Sequence, residues 1–161
     1  DDLRYTPSDC FETFPFPAGW ETNAALEDLG RRYHARRAEI MVARNEGLTK
    51  TYNRFHDPAE RSPKIAQLRA LHDAMDRAVL DAYGWTGVRP VCEFIAEHDA
   101  PEESAEPAGG RKKRRAMRYR WPDAVRDEVL AKLVELNAVR AKEDERARAE
   151  AKVQRTLGGM G

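Results

Sequence analysis

The chain has 161 residues, of which 35% are charged and 41% hydrophobic, with a formal net charge of zero and a mean hydropathy of -0.78. This is enough for one ordinary domain with a modest core and much wet helix surface. The overall charge announces no nucleic-acid partner, although local patches can still bind phosphate. No apolar run approaches the ~20 residues that would span a bilayer.

The two cysteines, Cys10 and Cys92, lack metal-type spacing and read as reduced thiols of a cytoplasmic protein. No signal peptide is visible, but the first residue is Asp rather than Met. The chain is therefore expected to be a piece of a longer protein.

Residues 1–20 read as extended. Leu3 and Tyr5 are spaced like a strand face, and Pro7, Pro15 and Pro17 exclude a helix. Phe14 and Phe16 then share one face of the run, and Phe11 and Trp20 are placed to close an aromatic cluster. Such rings most simply pack a strand against a helix.

Residues 21–86 are expected to form a helical hairpin. Its first helix, 22–45, carries Leu26, Leu29, Tyr33, Ile40 and Met41 at helical spacing, with Thr22 as N-cap and Gly47 as stop. Residues 46–61, EGLTKTYNRFHDPAER, read as a long polar loop. The second helix, 62–83, opens on Ser62 with Pro63 at its first position. It carries Ile65, Leu68, Leu71, Met75 and Val79 as an apolar stripe and ends at Gly84.

Residues 87–121 combine a short strand around Val91 to Ile95 with a linker over 99–117, acidic first and basic after, where disorder is expected. A third helix follows over 122–156, with Pro122, Asp123 and Asp127 at its start and Val125, Val129, Leu133, Leu136 and Val139 as its apolar face. Beyond Arg140 it becomes a charged, solvated helix supported by pairs four residues apart, with 157–161 as a tail. The fold class is thus mainly α: a hairpin plus a long C-terminal helix, with at most one or two short strands.

The sequence carries no Gly-rich nucleotide turn, no serine in a glycine elbow and no zinc-spaced Cys/His set. No catalytic, cofactor-binding or metal residue is assigned. The four histidines are scattered. His34 and His72 lie on the two hairpin helices, either meeting across them or simply exposed on each. His56 and Asp57 stand together, but Asp57-Pro58 is first a turn signal.

Lys50, Tyr52, Asn53, Arg54 and His56 offer cations, an amide and rings suited to phosphate and base-edge contacts. The alternative is a segment folded back on the hairpin, anchored by Tyr52 and Phe55. Arg111, Lys112, Lys113, Arg114 and Arg115, with Tyr119 nearby, form the densest charge. They suit either DNA phosphates or a solvated linker balancing the acidic run before it.

Five segments in order carry a family resemblance: SDCFETFPFP, YHARRAEIM, EGLTKTYNRFHDP, IAQLRALHDAMDRAVLDAYGW and RYRWPDAVRDEVLAKLVELNAVRAKE. Together they resemble the C-terminal region of large bacterial adenine-specific DNA methyltransferases of the restriction–modification and phage-defence type, including fused restriction–methylation enzymes. The excess of Arg over Lys suits a GC-rich bacterial genome.

The resemblance implies a parent enzyme that transfers methyl from S-adenosylmethionine to adenine N6 after flipping the base. The family's Asn-Pro-Pro-Tyr or Asn-Pro-Pro-Phe signature and its Gly-rich cofactor turn are not in this sequence, so no catalytic or cofactor residue is carried over and no cofactor is expected in this chain. Residues 1–20 would be the exit from a missing target-recognition domain. The implied partners are DNA and the missing methyltransferase and recognition domains. An alternative of another class is a module that docks a partner subunit of a bacterial defence complex.

Overall fold

The structure is a computed structural model that describes Thr6, Phe11 and residues 13–97 and 116–158. It is mainly helical, with one small antiparallel sheet and a long C-terminal helix, as the sequence patterning leads one to expect. The chain divides into two compact units, one of Ala18–Val125 and one of Asp1–Pro17 with Arg126–Gly161.

The larger unit opens on a short 3-10 turn, Trp20–Thr22, behind Gly19, whose positive φ of 69° suits glycine. Helix α1, Ala24–Arg44, follows. Its cap is Asn23 rather than Thr22: the Asn23 side chain accepts from the N–H groups of Ala25 and Leu26 at 3.1 and 3.2 Å. Thr22 is spent inside the 3-10 turn, where its hydroxyl bonds to the Gly19 carbonyl.

The helix also stops before Gly47. Asn45 adopts the left-handed conformation at φ 49°, and the N–H groups of Asn45 and Glu46 close onto the carbonyls of Val42 and Met41. Asparagine tolerates this geometry, so no glycine is required there.

Gly47 instead precedes helix α2, Leu48–Phe55. This corrects the loop expected over 46–61. Eight residues are too few to hold a helix by local propensity, so packing must stabilise it. Thr51 and Phe55, one turn apart, are buried and supply that packing. The loop proper is short. Asp57 accepts from the Ala59 N–H at 2.9 Å, the turn that Asp57-Pro58 signals.

Helix α3, Pro63–Ala82, begins with Pro63 in its first turn after Ser62, although the Ser62 side chain makes no cap bond. Gly84, at φ 75°, lies just beyond its end.

Helices α1 and α3 run antiparallel. Glu39, late in α1, pairs with Lys64 at the start of α3 at 2.7 Å. Tyr33, a turn and a half earlier in α1, lies beside His72, farther along α3. Their shared core is Ile40, Phe55, Ile65 and Leu68, with Tyr33, Tyr52 and Tyr119 packed around it. Of the expected α3 stripe, Ile65 and Leu68 are buried, whereas Val79 is 40% exposed and Leu80, outside that stripe, is buried instead.

Strand β1, Glu93–Ala96, pairs antiparallel with β2, Met117–Arg120, placing Phe94 opposite Tyr119. Strand β2 was not foreseen, and it takes residue 117 from the expected linker. Its sequence, MRYR, reads as charge until a partner strand pairs its backbone. Residues 99–115 of that linker, including Arg111, Lys112, Lys113, Arg114 and Arg115, lie outside the described residues, as does His98.

In the smaller unit, Phe16 meets Phe14 at a ring distance of 4.8 Å and Phe11 at 5.2 Å. Phe11, Phe14 and Phe16 of the expected cluster thus meet, while Trp20 belongs to the larger unit. Helix α4 spans Asp123–Gly158. Leu130, Val134, Val139 and Val153 are exposed along it, so the expected apolar face is not fully covered at Val139.

The core predicts a sharp contrast within α2. Phe55→Ala should lower unfolding free energy by about 3–5 kcal/mol, because it opens a cavity at the centre of the core. Lys50→Ala, on the exposed face, should change it by no more than about 0.5 kcal/mol. Urea unfolding followed by circular dichroism measures both, and similar losses for the two variants would contradict this packing.

Candidate functional site

The concentration of polar chemistry lies where α2, α3 and the sheet meet, all within the larger unit. Helix α3 supplies Arg69, His72, Asp73 and Asp76, spaced at i, i+3, i+4 and i+7, so all four share one face.

Arg69 is the hub. Its Nε donates to the Phe55 carbonyl at 2.9 Å, and its Nη2 donates to the carbonyls of Arg54 and Asp57 at 3.1 and 2.8 Å. These are the carbonyls at and just past the end of α2, where a cation is best placed. The guanidinium carbon also lies 4.8 Å from the Phe94 ring centre and 5.6 Å from that of Tyr119. One side chain thus ties the end of α2 to both strands.

Asp73 receives the Tyr119 hydroxyl at 2.8 and 3.1 Å through its two oxygens. Burial and this bond to a carboxylate hold the Tyr119 phenol well above its ordinary range. Asp76 receives the Trp121 indole N–H at 2.7 Å and the Cys92 thiol at 3.7 Å, both on Oδ2. His72 Nε2 stands 3.6 Å from the same oxygen. Burial raises the Asp76 carboxyl, with His72 and the Trp121 bond acting against it.

A cysteine, a histidine and an aspartate in one cluster invite a comparison with nucleophilic catalysis. The electrostatics oppose it. A reactive thiol needs a lowered pKa and an electropositive setting. Burial pushes the Cys92 thiol far up instead, and the carboxylates of Asp76 and Asp73 push it further. Its sulfur bonds to the acid and not to the imidazole.

The α2 residues singled out from sequence divide in two. Arg54 is clamped between Glu46 at 2.9 Å and Glu60 at 2.6 Å and is only 19% exposed. The hydroxyl of Tyr52 lies 3.1 Å from that of Tyr33, and Arg37 donates to it. Burial raises the Tyr33 phenol, and the Tyr52 bond adds to that effect. Burial alone would raise the Tyr52 phenol, but its hydrogen bonds with Tyr33 and Arg37 and the Arg37 charge together lower it.

His56 Nδ1 accepts the Tyr119 backbone N–H at 3.1 Å. Burial depresses its pKa, helped by the nearby charges of Arg118, His72 and Arg69, and Glu97 opposes the shift. These three side chains are therefore engaged in the fold, in line with the folded-back alternative. Lys50 and Asn53 are exposed on the outer face of α2. Tyr119, grouped from sequence with the basic run, points into the core cluster.

Sequence reasoning passed over Arg69, Asp73, Asp76 and Cys92 as site residues and read His34 and His72 as either meeting across the hairpin or simply exposed on each helix. His34 is exposed, while His72 faces Tyr33, Phe55 and Asp76. The available signal was the polar face at i, i+3, i+4 and i+7 running beside the apolar stripe of α3. On the other side of the hairpin, Leu29, Ala70, Leu71 and Ala74 line an open groove of about 590 Å³ flanked by Arg32 and Arg36.

No protein-family model, no curated protein and no solved structure matches this chain. Among the described residues, no helix is long and apolar enough to cross a membrane.

Two measurements test this network. Arg69→Lys keeps the charge but loses the forked geometry, and should cost roughly 2–3 kcal/mol of stability, because α2-end carbonyls lose their donors. Urea unfolding reads this directly.

The second concerns pH. The folded pKa of His56 lies below the ordinary value of 6.5, so the unfolded state takes up a proton first as pH falls. Stability from this residue is therefore full above about pH 6.5 and is lost as pH drops toward the folded value. His56→Asn keeps an acceptor near the Nδ1 position without titrating in this range. It should flatten the decline in Tm between about pH 7 and pH 5.5 relative to the unsubstituted chain. Parallel declines would exclude His56 as the source.

Proposed function

We propose that this chain is the noncatalytic helical part of a site-specific, S-adenosylmethionine-dependent adenine N6 DNA methyltransferase of a bacterial restriction–modification or phage-defence system. In this reading it braces the target-recognition domain and adds contacts to the DNA backbone. The observation that carries the reading is the ordered set of five segments that resembles this family. The internal use of the polar side chains is compatible with it: Arg54, Arg69, Asp73 and Asp76 are committed to holding α2, α3 and the sheet as one body. A brace needs that stiffness, because positioning contacts work only when their support is fixed.

The phosphate contacts in this reading fall to Lys50 and Asn53 on the exposed face of α2, and to the basic run Arg111, Lys112, Lys113, Arg114 and Arg115. Methyl transfer and use of the cofactor belong to the parent's other domains.

A second reading is a module that docks a partner subunit of a defence complex. It rests on the exposure of Leu130, Val134, Val139 and Val153 along α4.

Salt separates the two. Binding of the chain to duplex DNA, followed by fluorescence anisotropy, should weaken by at least about tenfold between 50 and 200 mM salt if several phosphates are neutralised. It should weaken further in a variant with Lys50 and the basic run changed to Gln. No binding at 50 mM salt, or binding indifferent to salt, would reject the DNA-contact role and favour apolar docking. Reading the gene upstream of the Asp1 codon tests the parent enzyme. The frame should continue into a Gly-rich turn and an Asn-Pro-Pro-Tyr or Asn-Pro-Pro-Phe, and a frame without them would reject the methyltransferase assignment.

A further inference from the structure

We propose that His72, Asp76 and Cys92 form a binding site for a zinc-class divalent cation that pins α3 to the segment leading into β1. The site is independent of the DNA-binding reading. Its basis is the convergence of three different ligand types on one point. His72 and Asp76 are four residues apart on α3, so both donors project from adjacent turns of one face. Cys92 arrives from the chain just before β1 and is buried. The imidazole nitrogen, one carboxylate oxygen and the sulfur all lie within 4.8 Å of one another.

The separations suit a tetrahedral ion. His72 Nε2 is 3.6 Å and Cys92 Sγ is 3.7 Å from Asp76 Oδ2. Zinc bonded to nitrogen, oxygen and sulfur at its usual lengths sets neighbouring ligand atoms about 3.3–3.8 Å apart. Two of the three separations already have that value, and the third is no more than 4.8 Å. The 3.6 Å gap between His72 and Asp76 is too long for a hydrogen bond, so the imidazole lies within ligand reach without being bonded to the acid.

One ligand is held by a hydrogen bond and another by packing. The Trp121 indole N–H holds the Asp76 carboxylate at 2.7 Å, and the His72 ring is flanked by Phe55 and Tyr33 at 5.5 and 6.2 Å. The His72 side chain is 32% exposed, which leaves an entry path and a fourth position for water.

The mixed nitrogen, oxygen and sulfur set favours zinc or cobalt over magnesium or calcium, which prefer oxygen alone. The ion forms bonds to Nε2, an Asp76 oxygen and Sγ, and the thiol proton leaves to solvent. The thiolate and the carboxylate then balance the two charges of the cation, and no redox step is involved.

The test is cobalt titration of the full chain, reading the near-ultraviolet thiolate-to-cobalt band. The full chain and its Cys10→Ser variant should both develop this band at one equivalent, and Cys92→Ser should not. The Cys10→Ser variant keeps Cys92 as the only thiol, so the result does not depend on whether Cys92→Ser folds. His72→Gln should weaken cobalt binding by more than Trp121→Phe, which removes only an outer hydrogen bond and should cost about tenfold. No band on the full chain, a band lost with Cys10, or unchanged affinity in His72→Gln would each overturn the proposal.

Discussion

The fold depends on Arg69. A guanidinium set among three backbone carbonyls and beside the rings of Phe94 and Tyr119 performs two tasks. It neutralises the negative end of α2, whose last carbonyls have no partner within the helix. It also brings the small sheet down on the hairpin. A two-stranded sheet of four-residue strands is marginal alone, and α2 is too short to persist alone. Each exists because it shares this contact with a helix that is stable by length and packing.

Around that hub the polar groups are arranged in pairs that satisfy one another. Asp73 holds the Tyr119 hydroxyl, Asp76 holds the Trp121 indole, and Arg77 donates to the Val88 carbonyl at 2.8 Å. Among the described residues, every buried side-chain nitrogen or oxygen has a hydrogen-bond partner. Such networks fix one arrangement of elements, because a slip by one residue would strand several groups in a region of low dielectric. A helix–sheet unit held this way is stiff, which is what the proposed positioning role would require.

The same logic bears on α2 as a binding surface. Binding phosphate through Arg54 would break two short ion pairs with Glu46 and Glu60, and binding through His56 would require protonating an acceptor already in use. Any anion meeting this helix therefore meets Lys50 and Asn53 first. Charge that looks available in a sequence is available only where the fold has not already used it.

The two long hairpin helices, their antiparallel pairing, the start of α3 at Pro63 and the length of α4 were legible in the sequence. Each depends on local chemistry: apolar spacing, a proline confined to a first turn, a glycine able to take positive φ. Helix α2, strand β2 and the Arg69–Asp73–Asp76 face were not legible, because each depends on a distant partner. The segment LTKTYNRF becomes helical when Thr51 and Phe55 find the core, and MRYR becomes a strand when β1 pairs with it. His72 and Cys92 stand twenty residues apart in the chain, and only folding brings them together. The sequence by itself determined the long helices, whose stability is summed along neighbouring residues. The tertiary structure decided which polar side chains meet, because contacts across the chain leave no local spacing to read.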